Sequence, residues 1–172
     1  MRVGIDLDGV IRNMVGALIP QYNFVYGDGV HLHNDVKQWD LSKSFPQFKN
    51  EHYYKWGEKL FLNANPYVGA LRFMDDLNKT DNDIYIVTNQ PKGLEDLTIN
   101  WLKKFEIEYK GVIFSSDKDV FNGDILFDDS NYNLERFSGL SVCMDRPWNQ
   151  DYKSIKVRCY EDFLILLKNE KD

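Results

Sequence analysis

The sequence predicts a three-layer α/β fold, a parallel sheet covered by helices on both faces, with a small helical cap. Three observations carry this. Short apolar runs of strand length alternate with stretches of helical periodicity from residue 65 onward. Nearly every apolar run ends in a polar or acidic cluster. One aromatic-rich segment, about 14 to 64, breaks the alternation. Runs apolar along their whole length belong to strands buried on both faces, and the helices between them serve as crossovers.

The first strand comes from Arg2-Val3-Gly4-Ile5, after which Asp6-Leu7-Asp8-Gly9 places two carboxylates two positions apart and a glycine where the chain can turn. Residues 12 to 26 carry Met14, Val15, Leu18, Ile19 and Tyr22 at helical spacing, interrupted by Pro20. The pattern dissolves from Gly27 to about Asn50 and returns as a helix over 51 to 62 through Tyr53, Trp56, Leu60 and Phe61. Asn65-Pro66 opens a helix expected over 66 to 79, its apolar face formed by Tyr67, Leu71, Met74 and Leu77. Strands follow at Ile84–Val87, Val112–Phe114, Ile125–Phe127 and Leu140–Cys143, with a short one at Ile155–Val157. Helices are expected over 92 to 105, 131 to 137 and 160 to 169. The segment 14 to 64 is too long for one crossover and too aromatic for a structureless loop, so it reads as a cap inserted in a core made of 1 to 13 and 65 to 172.

Composition narrows the classes of function. The 172 residues suffice for one domain with a real core. With 43% hydrophobic and 28% charged residues the chain has the make-up of a soluble globular protein. A net charge of −6 argues against nucleic-acid polymers and anionic membranes as partners, though not against a small phosphate ester at a local cation. No run approaches a membrane span, and the N-terminus lacks a signal peptide's pattern. Cys143 and Cys159, the two cysteines, have neither metal-site nor CxxC spacing, so a reducing cytoplasm is expected. The pattern is compatible with a monomer or a homodimer.

In a Rossmann-like sheet of this kind ligands bind beyond the carboxyl ends of the strands. There the chain places Asp6 and Asp8, Thr88 and Asn89, Lys118, and Asp128 and Asp129. Taken singly these are ordinary strand-end residues. Together they are a set for phosphoryl transfer. Asp6 would attack phosphorus, and Asp8 would protonate the leaving alkoxide and then deprotonate the hydrolytic water. A carboxylate approaches a phosphate dianion only if charge is neutralised, which assigns magnesium (Mg2+) and Lys118. Asp6, Asp128 and Asp8, the last through its backbone carbonyl, would hold the metal. Thr88, Asn89 and nearby N–H groups would bind the phosphate, and Asp129 would orient Lys118.

Asp6-Leu7-Asp8-Gly9-Val10, Thr88, Lys118 and Asp128-Asp129 resemble the four motifs of the haloacid dehalogenase superfamily, in the right order and over nearly the whole chain. Within it, Asp117-Lys118-Asp119-Val120 followed by Gly123 to Asp129 is similar to the motif region of the 5'(3')-deoxyribonucleotidases. Trp56 through Phe61 to Pro66, Gly69 and Ala70 resembles the return from that family's cap, and Arg146-Pro147-Trp148-Asn149 a late segment of its bacterial and viral-type members. Thr88-Asn89-Gln90, Arg12-Asn13 and Ser130 depart from the animal enzymes, which carry Thr-Ser-Pro, Ala-Asp and arginine. The resemblance implies Mg2+-dependent hydrolysis of a deoxynucleoside monophosphate, with Met14 and Phe61 against the base. A phosphatase for a sugar or histidinol-type phosphate, and a non-catalytic phosphate-binding protein of the same fold, stand as alternatives. His31 and His33 read as surface residues, Cys143 as packing, and Arg146 as a residue for either the phosphate or an ion pair.

Overall fold

In the computed structural model the described residues are 1–27 and 32–170. They form a six-stranded sheet with strand order β3-β2-β1-β4-β5-β6. The strands are β1 (Arg2–Ile5), β2 (Asp83–Thr88), β3 (Gly111–Phe114), β4 (Ile125–Asp128), β5 (Leu140–Met144) and β6 (Lys156–Val157). Every pairing is parallel. β1 lies between β2 and β4, with Ile5 opposite both Ile86 and Phe127, so the strand order reverses at β1. Crevices for ligands open at such a switch point.

Alternation along the strands sends side chains to two apolar layers. Val3, Ile5, Ile84, Ile86, Ile125, Phe127, Val142 and Met144 share one buried cluster with residues of α4 (Ala70–Asn78), α5 (Glu95–Lys104) and α7 (Tyr160–Asn169). Val87, Leu126 and Cys143 face the other way, onto Phe121 and Leu134, the latter in the short α6 (Asn131–Leu134). Gly4 is needed on this second face: a Cβ there would stand 2.7 Å from the Phe121 ring.

Between β1 and α4 the chain builds a third apolar cluster. It contains α1 (Met14–Tyr26), the short α2 (Leu41–Ser44), α3 (Asn50–Lys55) and a π-helical turn, Glu58–Leu62. Val15, Leu18, Tyr22, Phe45, Phe48, Trp56, Leu60 and Phe61 are buried together here. Trp148, far along the chain, completes the cluster. α1 continues through Pro20. A proline removes one helical hydrogen bond, and the buried residues on either side hold the helix in register.

Two local expectations need correction. The helix expected over 66 to 79 begins at Ala70, because Tyr67 N–H bonds back to the Ile11 carbonyl at 2.8 Å and Gly69 takes a φ of 85°. Its buried face is Ala70, Phe73, Met74 and Leu77, while Leu71 is partly exposed and Val68 fully so. His33 is half-buried rather than on the surface: its Nε2 is 3.2 Å from the Tyr67 hydroxyl, and its ring lies against Trp148. His31 lies outside the described residues.

Candidate active site

The chain leaves β1 at Ile5, and the Asp6 N–H still bonds the Phe127 carbonyl at 2.9 Å. A tight turn follows, in which the Leu7 carbonyl accepts from Val10, Ile11 and Arg12 N–H groups. Gly9, at φ 91°, makes this turn possible: a Cβ there would lie 2.0 Å from an Asp129 oxygen. Because the backbone turns, Asp6 and Asp8 line one cavity but face different partners.

Asp6 is buried among charges. Its Oδ1 accepts from Lys118 Nζ at 2.6 Å, and the same ammonium donates to the Val87 carbonyl and lies 3.6 Å from Asp128 Oδ2. Asp6, Asp128 and Asp129, all buried, offer oxygens within 4.8 Å of one another. Three acids share one buried cation, and the electrostatics follow. Burial pushes the Asp6 pKa up to about 7, against the opposing pull of Lys118 and with a further push from Asp128. Burial, then Asp128 and Asp6, raise Asp129 well above the usual carboxylate range. Burial disfavours the Lys118 charge, but Asp6 and Asp128 outweigh it and the lysine pKa is raised.

Asp129 does not orient Lys118, contrary to the sequence reading. Its Oδ2 accepts from Trp148 Nε1 at 2.6 Å, and Asn149 Nδ2 holds its backbone carbonyl at 2.9 Å. The Arg146–Asn149 segment therefore braces the acid cluster. Arg146 makes a different contact from the expected ion pair: Nε donates to the Gly9 carbonyl at 2.5 Å and the guanidinium covers the Tyr67 ring. Asp128 is fixed by Ser130 N–H at 2.8 Å and by Asn133 Nδ2 at 2.9 Å. Cys143 is buried and its thiol pKa is pushed up to about 12 by burial, which suits packing.

Asp8 meets different neighbours. Arg12, fully buried, donates to both of its oxygens at 2.7 Å, and Gln90 Nε2 donates to Oδ2 at 3.1 Å. Sequence reading noted Arg12 and Gln90 only as departures from a pattern. A charged residue at helical spacing from an acid was the available signal for the first.

A cavity of about 590 Å³ opens over these groups. Asp6, Asp8, Thr88, Asn89, Lys118 and Asp128 line it, as do Met14 and Phe61. Thr88 is buried and Asn89 exposed. Trp39, Phe48, Tyr53 and Tyr54, which sequence reading did not single out for the site, form more of the aromatic lining. The volume suits a small organic ligand of nucleotide size.

A model for the family described as "5' nucleotidase, deoxy (Pyrimidine), cytosolic type C protein" matches residues 1–170. The chain belongs to this family. One relative in Clostridium acetobutylicum, a 5'(3')-deoxyribonucleotidase, is 30% identical, and the match covers 99% of this chain and 96% of the relative. Among solved structures the fold is similar to that of a predicted phosphatase from Clostridium acetobutylicum, with TM-score 0.71, 12% identity and 98% of each chain covered. It is also similar to a putative HAD-hydrolase, YfnB, of Bacillus subtilis bound to magnesium, with TM-score 0.57, 16% identity and coverage of 96% and 97%. The fold is thus that of the haloacid dehalogenase superfamily, and this family member is a phosphoric monoester hydrolase.

The donor set fits a hard divalent cation. Three buried carboxylates within reach of one ion, two of them with pKa values raised by burial and by one another's charge, offer the oxygen ligands Mg2+ prefers. An acid whose folded pKa lies above its unfolded one holds extra protons when folded, so its contribution to stability falls as pH rises from the ordinary carboxylate range through about 7. A cation must displace those protons. Adding Mg2+ is therefore expected to raise the melting temperature more at about pH 8 than at about pH 6. Thermal melts at the two pH values check this, and equal melts with and without Mg2+ at both would remove the metal from the site.

Proposed function

We propose that this family member hydrolyses deoxynucleoside monophosphates, with Mg2+, through a phosphoryl group carried on Asp6. The observation that carries the reading is that Asp6, Asp8 and Lys118 line one cavity together with aromatic side chains. Segment 14–64 acts as a cap over those groups, and Met14 and Phe61, with Tyr53 and Trp39, supply apolar surface for a base.

The Asp6 carboxylate oxygen attacks phosphorus, the bond from phosphorus to the nucleoside oxygen breaks, and the proton on Asp8 passes to that leaving oxygen. Asp8, now a carboxylate, takes a proton from water as the water oxygen attacks the phosphorus of the aspartyl-phosphate. The bond to Asp6 breaks, inorganic phosphate leaves, and Asp8 is again protonated. Lys118, 2.6 Å from Asp6, offsets negative charge as nucleophile and phosphate approach. Thr88 and Asn89 bind phosphate oxygens at the end of β2. Asp6, Asp128 and Asp129 would hold Mg2+ with the Asp8 backbone carbonyl, and the ion when bound supplies further neutralisation of the phosphate charge.

Phosphate release with Mg2+ across deoxy- and ribonucleoside monophosphates, sugar phosphates and histidinol phosphate tests the reading. Deoxynucleotides are expected to show the highest kcat/KM. Turnover confined to sugar or histidinol phosphates would discard the substrate and keep the chemistry. No release from any ester would favour a binding protein.

A further inference from the structure

Arg12 is fully buried, yet it stands outside the acid cluster. Four hydrogen bonds from its guanidinium reach three parts of the fold. Nε and Nη2 take the two oxygens of Asp8 at 2.7 Å. Nη1 donates to the Phe61 carbonyl in the π-helical turn and to Thr98 Oγ1 in α5, each at 3.0 Å. The guanidinium also lies 5.1 Å from the Phe61 ring and 5.4 Å from the Trp101 ring. An apolar side chain could fill such a place without desolvating a charge, so stability alone does not account for an arginine. What only arginine supplies is the rigid two-pronged grip on a carboxylate.

Gln90 provides a second observation. Its Nε2 donates to Asp8 Oδ2, while its Oε1 is buried with no hydrogen-bond partner among the described residues. Turning the amide round would set an acceptor against the Asp8 oxygen. The bond to Asp8 therefore selects the orientation, although it leaves a buried acceptor unpaired. A carboxylate has about four acceptor positions. Arg12 and Gln90 occupy two on Oδ2 and one on Oδ1, so the open position belongs to Oδ1.

We propose that Arg12 is a positioning residue for the reaction: with Gln90 it fixes the plane of the Asp8 carboxylate, presents Oδ1 as the oxygen that exchanges the proton, and ties that plane to the cavity wall at Phe61. The inference rests on the reading of Asp8 as the acid and base.

The test compares a deoxynucleoside monophosphate, whose alkoxide needs a proton to leave, with p-nitrophenyl phosphate, whose phenolate does not. D8N, R12M, R12K and the double variant D8N/R12M are assayed on both, with circular dichroism and melts to check folding. D8N and R12M are each expected to lose about 100-fold or more in kcat/KM on the nucleotide and about tenfold or less on the nitrophenyl ester. R12K, which keeps the charge and loses the fork, falls between wild type and R12M in that split. The double variant is no slower on the nucleotide than D8N, because Arg12 acts through Asp8. Equal losses on both esters in R12M, or in R12K if R12M does not fold, overturn the inference when D8N shows the split. Multiplying losses in the double variant overturn it too. A D8N variant without the split overturns the reading of Asp8, and Arg12's role with it.

Discussion

Asp6→Asn is expected to lower phosphate release by about 10⁴-fold or more while leaving the fold intact, because an amide oxygen cannot form the acyl phosphate on which both half-reactions of the proposed mechanism depend. The stability side follows from the site's charge. Asp6 is one of three buried acids beside a single buried lysine, and burial already pushes its pKa up to about 7. A neutral amide of the same shape removes one unfavourable charge and keeps an acceptor for Lys118 Nζ. The metal-free D6N protein should therefore melt no lower than wild type at about pH 8, where the wild-type carboxylate is charged. It should also gain less from Mg2+, having lost one of the oxygen ligands proposed for the ion. Steady-state phosphate release and paired melts measure both. Activity within tenfold of wild type would remove Asp6 as the nucleophile.

Lys118→Met should damage activity and stability together. The ammonium is buried, bonded to Asp6 and the Val87 carbonyl and close to Asp128. Its removal leaves the acids without their cation and the carbonyl without that donor. Breaking a buried ion pair from one side costs about 3–5 kcal/mol. That cost should be largest at about pH 8 in the absence of metal. It should shrink toward about pH 5, where the carboxylates take up protons, and shrink again with Mg2+. Loss of the charge that the proposed mechanism sets against the reacting phosphate is expected to lower kcat by about 10²–10³-fold. Urea unfolding at both pH values, with and without Mg2+, separates the two effects. A stability loss that ignores pH and metal would mean that Lys118 matters only as packing.

The two variants probe opposite sides of one balance. D6N removes excess negative charge and the chemistry with it, whereas K118M removes the only counter-charge bonded to Asp6 among the described residues. A protein whose stability responds in opposite directions to the two is one whose site has been assembled at a cost to the fold, as charged sites generally are.

The amino-acid sequence by itself determined the six strands, the chain positions of Asp6, Asp8, Thr88, Lys118 and Asp128, and the family, because each depends on local pattern. Apolar runs report burial on both faces of a strand, and strand ends in such a sheet converge on one edge whatever the loops do. Only the tertiary structure decided what each charged group touches. Asp8 is gripped by a residue four positions away, yet the grip exists because the chain turns at Gly9 instead of continuing as a strand. Asp129 belongs to Trp148 and the acid cluster rather than to Lys118, and Arg146 to the Gly9 carbonyl and Tyr67. The face of α4 shifted for the same reason: Gly69 and the bond from Tyr67 to Ile11 set where the helix begins. Periodicity along a chain records how deeply a side chain is buried. Its partner is chosen by packing between segments that can stand more than a hundred residues apart, as Lys118 and Asp6 do, and no local pattern carries that choice.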